Sequence, residues 1–137
     1  MNLINKLKLK ALGDSRGNLT AIEQERDVPF NIKRVYYLYG TQPNSSRGYH
    51  AHKELVQFAI CISGSCRMVL DNGVNKKEVI LNSATEGVFI DKMVWHEMHE
   101  FSQDCILLVL ANDYYDEEDY IRDYAHFKGE LGKINEK

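Results

Sequence analysis

Apolar and polar positions alternate in short runs from residue 3 to about residue 110: LINKLKL, LTAIEQ, IKRVYYLYG, VQFAICISGSCRMVL, KKEVIL, EGVFID, WHEMHEF and CILLVLA. Such runs predict strands, because successive side chains of an extended chain leave opposite faces. Turn residues separate them: DSRGN at 14–18, GTQPNSS at 40–46, DNG at 71–73 and NS at 82–83. The DNG between two strand patterns predicts a hairpin. Eight or more closely spaced strands, with no amphipathic helix between them, predict an all-β fold, a closed or nearly closed antiparallel barrel or jelly roll with a pocket in its mouth. The final stretch, DEEDYIRDYAHFKGELGKINEK, breaks the pattern. Tyr120, Ile121, Tyr124 and Phe127 recur at helical spacing behind the acidic Asp116, Glu117 and Glu118, which predicts a short docked C-terminal helix.

Composition adds boundaries to this picture. With 137 residues, 44% hydrophobic and 27% charged, and no Gly/Ser/Pro-rich linker, residues 1–137 read as one globular domain. The net charge of −3, from 17 Lys+Arg and 20 Asp+Glu, supplies no general attraction to nucleic acid or to an anionic membrane. No apolar run approaches the roughly 20 residues that span a bilayer. The N-terminal segment has neither the apolar core nor the cleavage site of a signal peptide, so a cytoplasmic location is expected. Cys61, Cys66 and Cys105 form no CxxC pair and sit in apolar runs, which predicts buried reduced thiols.

The histidines are unevenly placed. His50 and His52, in RGYHAHK, are two residues apart, so a strand aims both rings from one face. One reading is a metal site, since HxH with a carboxylate and a distant histidine is the ligand set of metal-binding cupin barrels, and His96 could be the distant ligand. Against it, Gln57 stands where that pattern wants Glu, and a neutral amide is a weak ligand. Glu54 is the remaining carboxylate on that face. The second reading is proton transfer, because imidazoles titrating near neutral pH suit isomerisation through an enediol. The third is a core histidine beside a surface one. His99 reads as a surface or structural residue and His126 carries no signal. Cysteine or serine nucleophiles, dinucleotide binding and ATP chemistry are disfavoured, since no thiol has an activating neighbour and GxSxG, GxGxxG and P-loop patterns are missing.

Arginines flank the histidine pair: Arg34 opens RVYYLY, Arg47 precedes GYHAH, and Arg16 lies in the DSRGN turn. Guanidinium groups are bidentate partners of phosphate, and Tyr37 or Trp95 could stack on a base or sugar.

The runs DSRGNLTAIE, IKRVYYLYG, RGYHAHKELVQ, ISGSCRMVLD and VWHEMHEFSQDCILLVLANDYYDEEDYIRDY resemble the dTDP-4-keto-6-deoxyglucose 3,4-ketoisomerases, over about residues 10 to 127. The resemblance implies a cupin jelly-roll β-barrel, a homodimer with exchanged strands, no metal and no cofactor, and a dTDP-linked 4-keto-6-deoxysugar as substrate. It implies that His50 removes the C3 proton and that His52 shuttles a proton between the C3 and C4 oxygens. It assigns Tyr37 to sugar binding and Arg16 and His96 to the stereochemistry at C4, while charge and position make Arg34 and Arg47 the phosphate candidates. Arg16 with His96 is the combination of galacto-forming members, which feed deoxyaminosugar pathways for surface polysaccharide. The other readings are a dTDP-4-keto-6-deoxyhexose epimerase and a non-catalytic sugar- or metal-binding cupin.

Overall fold

The computed structural model describes residues 2–135. Two five-stranded antiparallel sheets face each other. The first has the order β1 (Lys6–Lys8), β9 (Glu86–Ile90), β6 (Gln57–Ser63), β11 (Ile106–Ala111), β4 (Arg34–Leu38). The second runs β12 (Tyr120–Ile121), β5 (Arg47–His52), β10 (Trp95–His99), β7 (Cys66–Asp71), β8 (Lys76–Leu81). A separate two-stranded ribbon joins β2 (Leu12–Asp14) to β3 (Gly17–Leu19).

Of the expected closed or nearly closed barrel or jelly roll, the structure is the open form, since no ladder among the described residues joins the two sheets. What unites them is side-chain packing. Ala59 and Cys61 of β6, Leu107 and Val109 of β11, Met68 and Leu70 of β7, and Met98 of β10 share one buried cluster. The long run VQFAICISGSCRMVL divides at Gly64, where the chain crosses from one sheet to the other. Gly64 has φ +67, and a Cβ there would lie 2.2 Å from Ser102 Oγ and 2.9 Å from the Cys105 amide nitrogen, so both conformation and space require glycine. The DNG signal does form the β7–β8 hairpin, with Asp71 opposite Lys76.

The outer faces are covered differently. Residues Val28 and Phe30 pack on Phe58, Ile60 and Leu110 behind the first sheet. The C-terminal helix α1 (Tyr124–Asn135) lays Phe127 against Trp95, Ala51 and Ile121 behind the second. This helix begins later than the sequence pattern suggests. Asp116 caps a single 3-10 turn, Glu117–Asp119, and Tyr120–Ile121 then extends to pair with β5. Burying Ile121 completely and completing the sheet edge outweighs the local helical spacing. No helix among the described residues is long and apolar enough to cross a membrane.

Candidate active site

The site is built on β5. Its alternation sends His50 and His52 to the inner face, and ladder register supplies their neighbours: His96 of β10 lies opposite His50, and Tyr120 of β12 opposite His52. A bulge sits just before the pair, where Gly48 aligns with Glu97 and His50 with His96, leaving Tyr49 as the extra residue at φ +59. Bulges re-aim the side chains that follow them, and here the consequence is three converging imidazoles. Ring centroids are 5.1 Å apart for His50–His52, 4.5 Å for His50–His96 and 5.9 Å for His52–His96. Tyr120 packs at 4.9 Å from His50 and 4.3 Å from His52.

Each ring is held by its Nδ1. His50 meets the Gly48 carbonyl at 3.0 Å, His52 the Asp119 carboxylate at 3.2 Å, and His96 the Val94 carbonyl at 3.3 Å. These partners are acceptors only, so Nδ1 carries the proton and Nε2 presents a lone pair. Burial keeps the rings neutral. It lowers the His50 pKa, takes His52 down to about 4 with help from the neighbouring His50, and holds His96 well below its usual value. Asp119 is fixed in turn by the backbone amides of Glu54 at 2.9 Å and Leu55 at 3.3 Å.

Gln57, fully buried on β6, accepts a hydrogen bond from Tyr36 Oη. Burial pushes the Tyr36 hydroxyl pKa upward, so it stays a donor. The buried atoms His52 Nε2, Gln57 Nε2 and Arg34 Nε have no hydrogen-bond partner among the described residues. Buried polar atoms are almost always paired, so these orphans, two of them on residues that line one cavity, mark a surface shaped for a polar ligand.

Two cavities share Arg34 and Tyr120. One, of about 390 Å³, is lined by Arg34, Tyr36, Arg47, His50, Tyr120 and Arg122; the other, of about 340 Å³, by His52, Asn112, Asp113, Asp119 and their shared pair. Three guanidinium groups therefore face the first cavity. Arg34 lies 5.0 Å from the Tyr36 ring, and Arg122 lies 4.1 Å above Tyr120 with its Nε 2.7 Å from Glu117.

The histidines could geometrically hold a metal, since their ligand nitrogens lie within 4.8 Å of one another. Three imidazoles are a set that can hold zinc, but the carboxylate of the metal-cupin pattern is replaced here by Gln57, whose amide oxygen is engaged by Tyr36. The arrangement suits proton transfer at a polar substrate, with neutral bases, an acceptor that orients one of them and cationic groups at the rim.

The structure brings together His50, His52, His96, Arg34 and Arg47. Tyr37 lies outside the cavities of the single chain: β4 alternation leaves it on the outer face with Val35, 58% exposed, and turns Tyr36 inward. In RVYYLY both tyrosines fit the pattern, and only the register of β4 on β11 decides the inner face. Arg16 stands apart, at the tip of the exposed β2–β3 ribbon, bound to Asp14 at 2.6 Å. Trp95 points outward under the helix and is closed off from the cavities. His99 is tied to Glu97 and Ser46, in keeping with a structural role. Asp119, Tyr120 and Arg122 escaped the sequence reading; the only signal was their helix-like acidic and aromatic spacing, which pointed elsewhere.

Comparison with known proteins is specific. The family model FdtA (WxcM-like, C-terminal) matches residues 3–132. The TDP-4-oxo-6-deoxy-alpha-D-glucose-3,4-oxoisomerase of Aneurinibacillus thermoaerophilus is 51% identical over 129 residues, 94% of this chain and 93% of that one. A 3,4-ketoisomerase from Helicobacter canadensis superposes with a TM-score of 0.92 at 48% identity, covering 94% of this chain and 97% of the other. A variant of the 3,4-ketoisomerase QdtA from Thermoanaerobacterium thermosaccharolyticum, in complex with TDP-4-keto-6-deoxyglucose, gives 0.93 at 42% identity, covering 97% and 96%.

Proposed function

The chain belongs to the FdtA (WxcM-like, C-terminal) family of sugar 3,4-ketoisomerases, and we propose that it carries the carbonyl of TDP-4-keto-6-deoxyglucose from C4 to C3 by histidine acid–base chemistry without a metal. The observation that supports this reading most is the triad of Nε2 lone pairs, each backed by a held Nδ1–H and kept neutral by burial. His50, the more open of the imidazoles, takes the C3 proton. The resulting enediolate carries its charge at the C4 oxygen. His52, oriented by Asp119, passes a proton from the C3 oxygen to the C4 oxygen, and protonation of C4 completes the 3-ketosugar. Each such transfer contributes roughly 10²–10⁴-fold. Tyr36 and Gln57 line the sugar end, and Arg34, Arg47 and Arg122 offer bidentate contacts to the diphosphate.

The functional unit is a homodimer. The β2–β3 ribbon exposes Leu12 at 52% and Leu19 at 61%, and β4 exposes Val35 and Tyr37 along a sheet edge, with Tyr39 just past its end. A second copy covers these apolar surfaces and presents its Arg16 to the histidines, where Arg16 and His96 direct the proton to the C4 face that yields the galacto product, a precursor of deoxyaminosugars. Incubation with TDP-4-keto-6-deoxyglucose in D₂O, followed by NMR, tests the reaction: the carbonyl moves to C3 and C4 gains deuterium. A product whose carbonyl stays at C4 with inverted neighbouring stereochemistry would identify an epimerase.

A further inference from the structure

The inner face of β6 carries Gln57, Ala59 and Cys61 in succession, so it leads away from the histidines to a second cluster. Cys61, Cys66 and Cys105 meet there, each about 1% exposed. Four residues of extended chain separate Gln57 from Cys61, which is on the order of 13 Å. The thiol cluster therefore lies outside the site already described. Its sulfurs lie within 4.8 Å of one another, and Cys61 Sγ is 3.5 Å from Cys105 Sγ. The strands explain the meeting: Cys61 ends β6, Cys66 begins β7, and Cys105 immediately precedes β11, the neighbour of β6. The turn and loop that carry them are clasped by the Ser65 amide on Ser102 Oγ and the Ser102 amide on the Ser65 carbonyl, both at 2.9 Å.

Three thiolates are a soft donor set, and charge decides which ion they suit. The surrounding cluster, including Met68, Leu81, Met98, Phe101 and Leu107, is apolar, and the charge that reaches the thiols, Asp104 beside Cys105, is itself negative. Three thiolates on a monovalent ion would leave two negative charges in it and on a divalent ion one, each costly to bury unpaired. A trivalent centre leaves none. Trivalent arsenic and antimony also keep a lone pair at the fourth position, and no fourth ligand-type side chain joins this group among the described residues. We infer that Cys61, Cys66 and Cys105 form a binding site for a trivalent metalloid of the arsenite class, set in the sandwich core at the end remote from the histidines.

Binding is a condensation without electron transfer: As(OH)₃ and three thiols give As(SR)₃ and three waters. Each As–S bond replaces an As–O bond, and each thiol proton leaves with a hydroxide. Access requires the clasp over the cluster to open locally.

The test is sodium arsenite added to the full-length reduced chain, with a monodentate phosphine as reductant. Expected are one arsenic per chain by native mass spectrometry, three As–S and no As–O contacts by X-ray absorption, and uptake that accelerates in low urea. Cys105→Ser should weaken binding at least tenfold. Fewer than three sulfurs on arsenic, or unchanged affinity in Cys105→Ser, overturns the site. Stoichiometric zinc in the protein as purified, not displaced by arsenite, overturns the metalloid assignment. Should Cys105→Ser fail to fold, the absorption spectrum of the unaltered chain decides alone.

Discussion

One interior holds two triads of ligand-type side chains, His50, His52 and His96 at one end and Cys61, Cys66 and Cys105 at the other. Five of the six are buried, with His52 at 3% and His96 at 1% beside cysteines near 1%, and His50 is partly open. They differ in how their polar atoms are satisfied. Each imidazole is held through one nitrogen, and His52 keeps a buried nitrogen with no partner among the described residues. The thiols contact one another and a backbone carbonyl within apolar walls. Burial alone thus fails to distinguish a polar site from a core; unsatisfied, oriented lone pairs beside charged groups do so.

The strongest way to break this contrast is His50→Asn. Ketoisomerisation should fall by roughly 10²–10⁴-fold while TDP affinity, measured by calorimetry, stays within a few-fold. If the homodimer shares its sites, Arg16→Ala is also impaired, and mixing the two variants restores part of the rate because one site per mixed dimer is intact. No recovery on mixing would place Arg16 outside the partner's site.

Next in size is Asp119→Asn. Asparagine can offer N–H to His52 Nδ1 and stabilise the wrong tautomer, so kcat should drop by about ten- to a hundredfold with KM little changed, as for other carboxylates that orient histidine. Asp119 also raises the His52 pKa, against the burial that lowers it. Its loss should therefore move the acidic limb of the rate profile to lower pH, a shift that a purely structural defect would not produce.

Stability should distinguish the two ends as pH falls. The folded chain keeps His52 and His96 neutral, whereas in the unfolded chain they protonate near 6.5. Below that value the unfolded state binds more protons, so stability is full above pH 6.5 and is lost between 6.5 and about 4. A Tm drop of roughly 5 °C or more is expected across that window, and it should shrink in His96→Gln. A flat Tm would mean that the histidines are already charged in the fold. The smallest effect belongs to the thiol end: Cys66→Ala should cost about 1 kcal/mol in urea unfolding and leave kcat within twofold, so a large loss of kcat would couple the two ends.

Much of this was legible from local pattern. Alternation located the main strands, the two-residue spacing of His50 and His52 implied a shared face, and DNG marked its hairpin. The errors have one cause. Tyr36 and Tyr37 are equivalent to any local rule, and only pairing of β4 with β11 turns Tyr36 inward. Tyr120 and Ile121 carry helical spacing, yet the open edge of β5 takes them as a strand and brings Asp119 to His52. Arg16 is close to the histidines in neither sequence nor single-chain structure.

The sequence by itself determined the periodicity, the buried strands, the histidine pair and the missing ligand carboxylate at Gln57, because these depend on residue type and short spacing. Only the tertiary structure decided which tyrosine faces the cavity, that His96 and Asp119 meet the pair, and that three cysteines spread over 45 positions share one pocket of core. Those contacts arise from ladder register and sheet-on-sheet packing, and such long-range pairings leave no signature in a local stretch of chain.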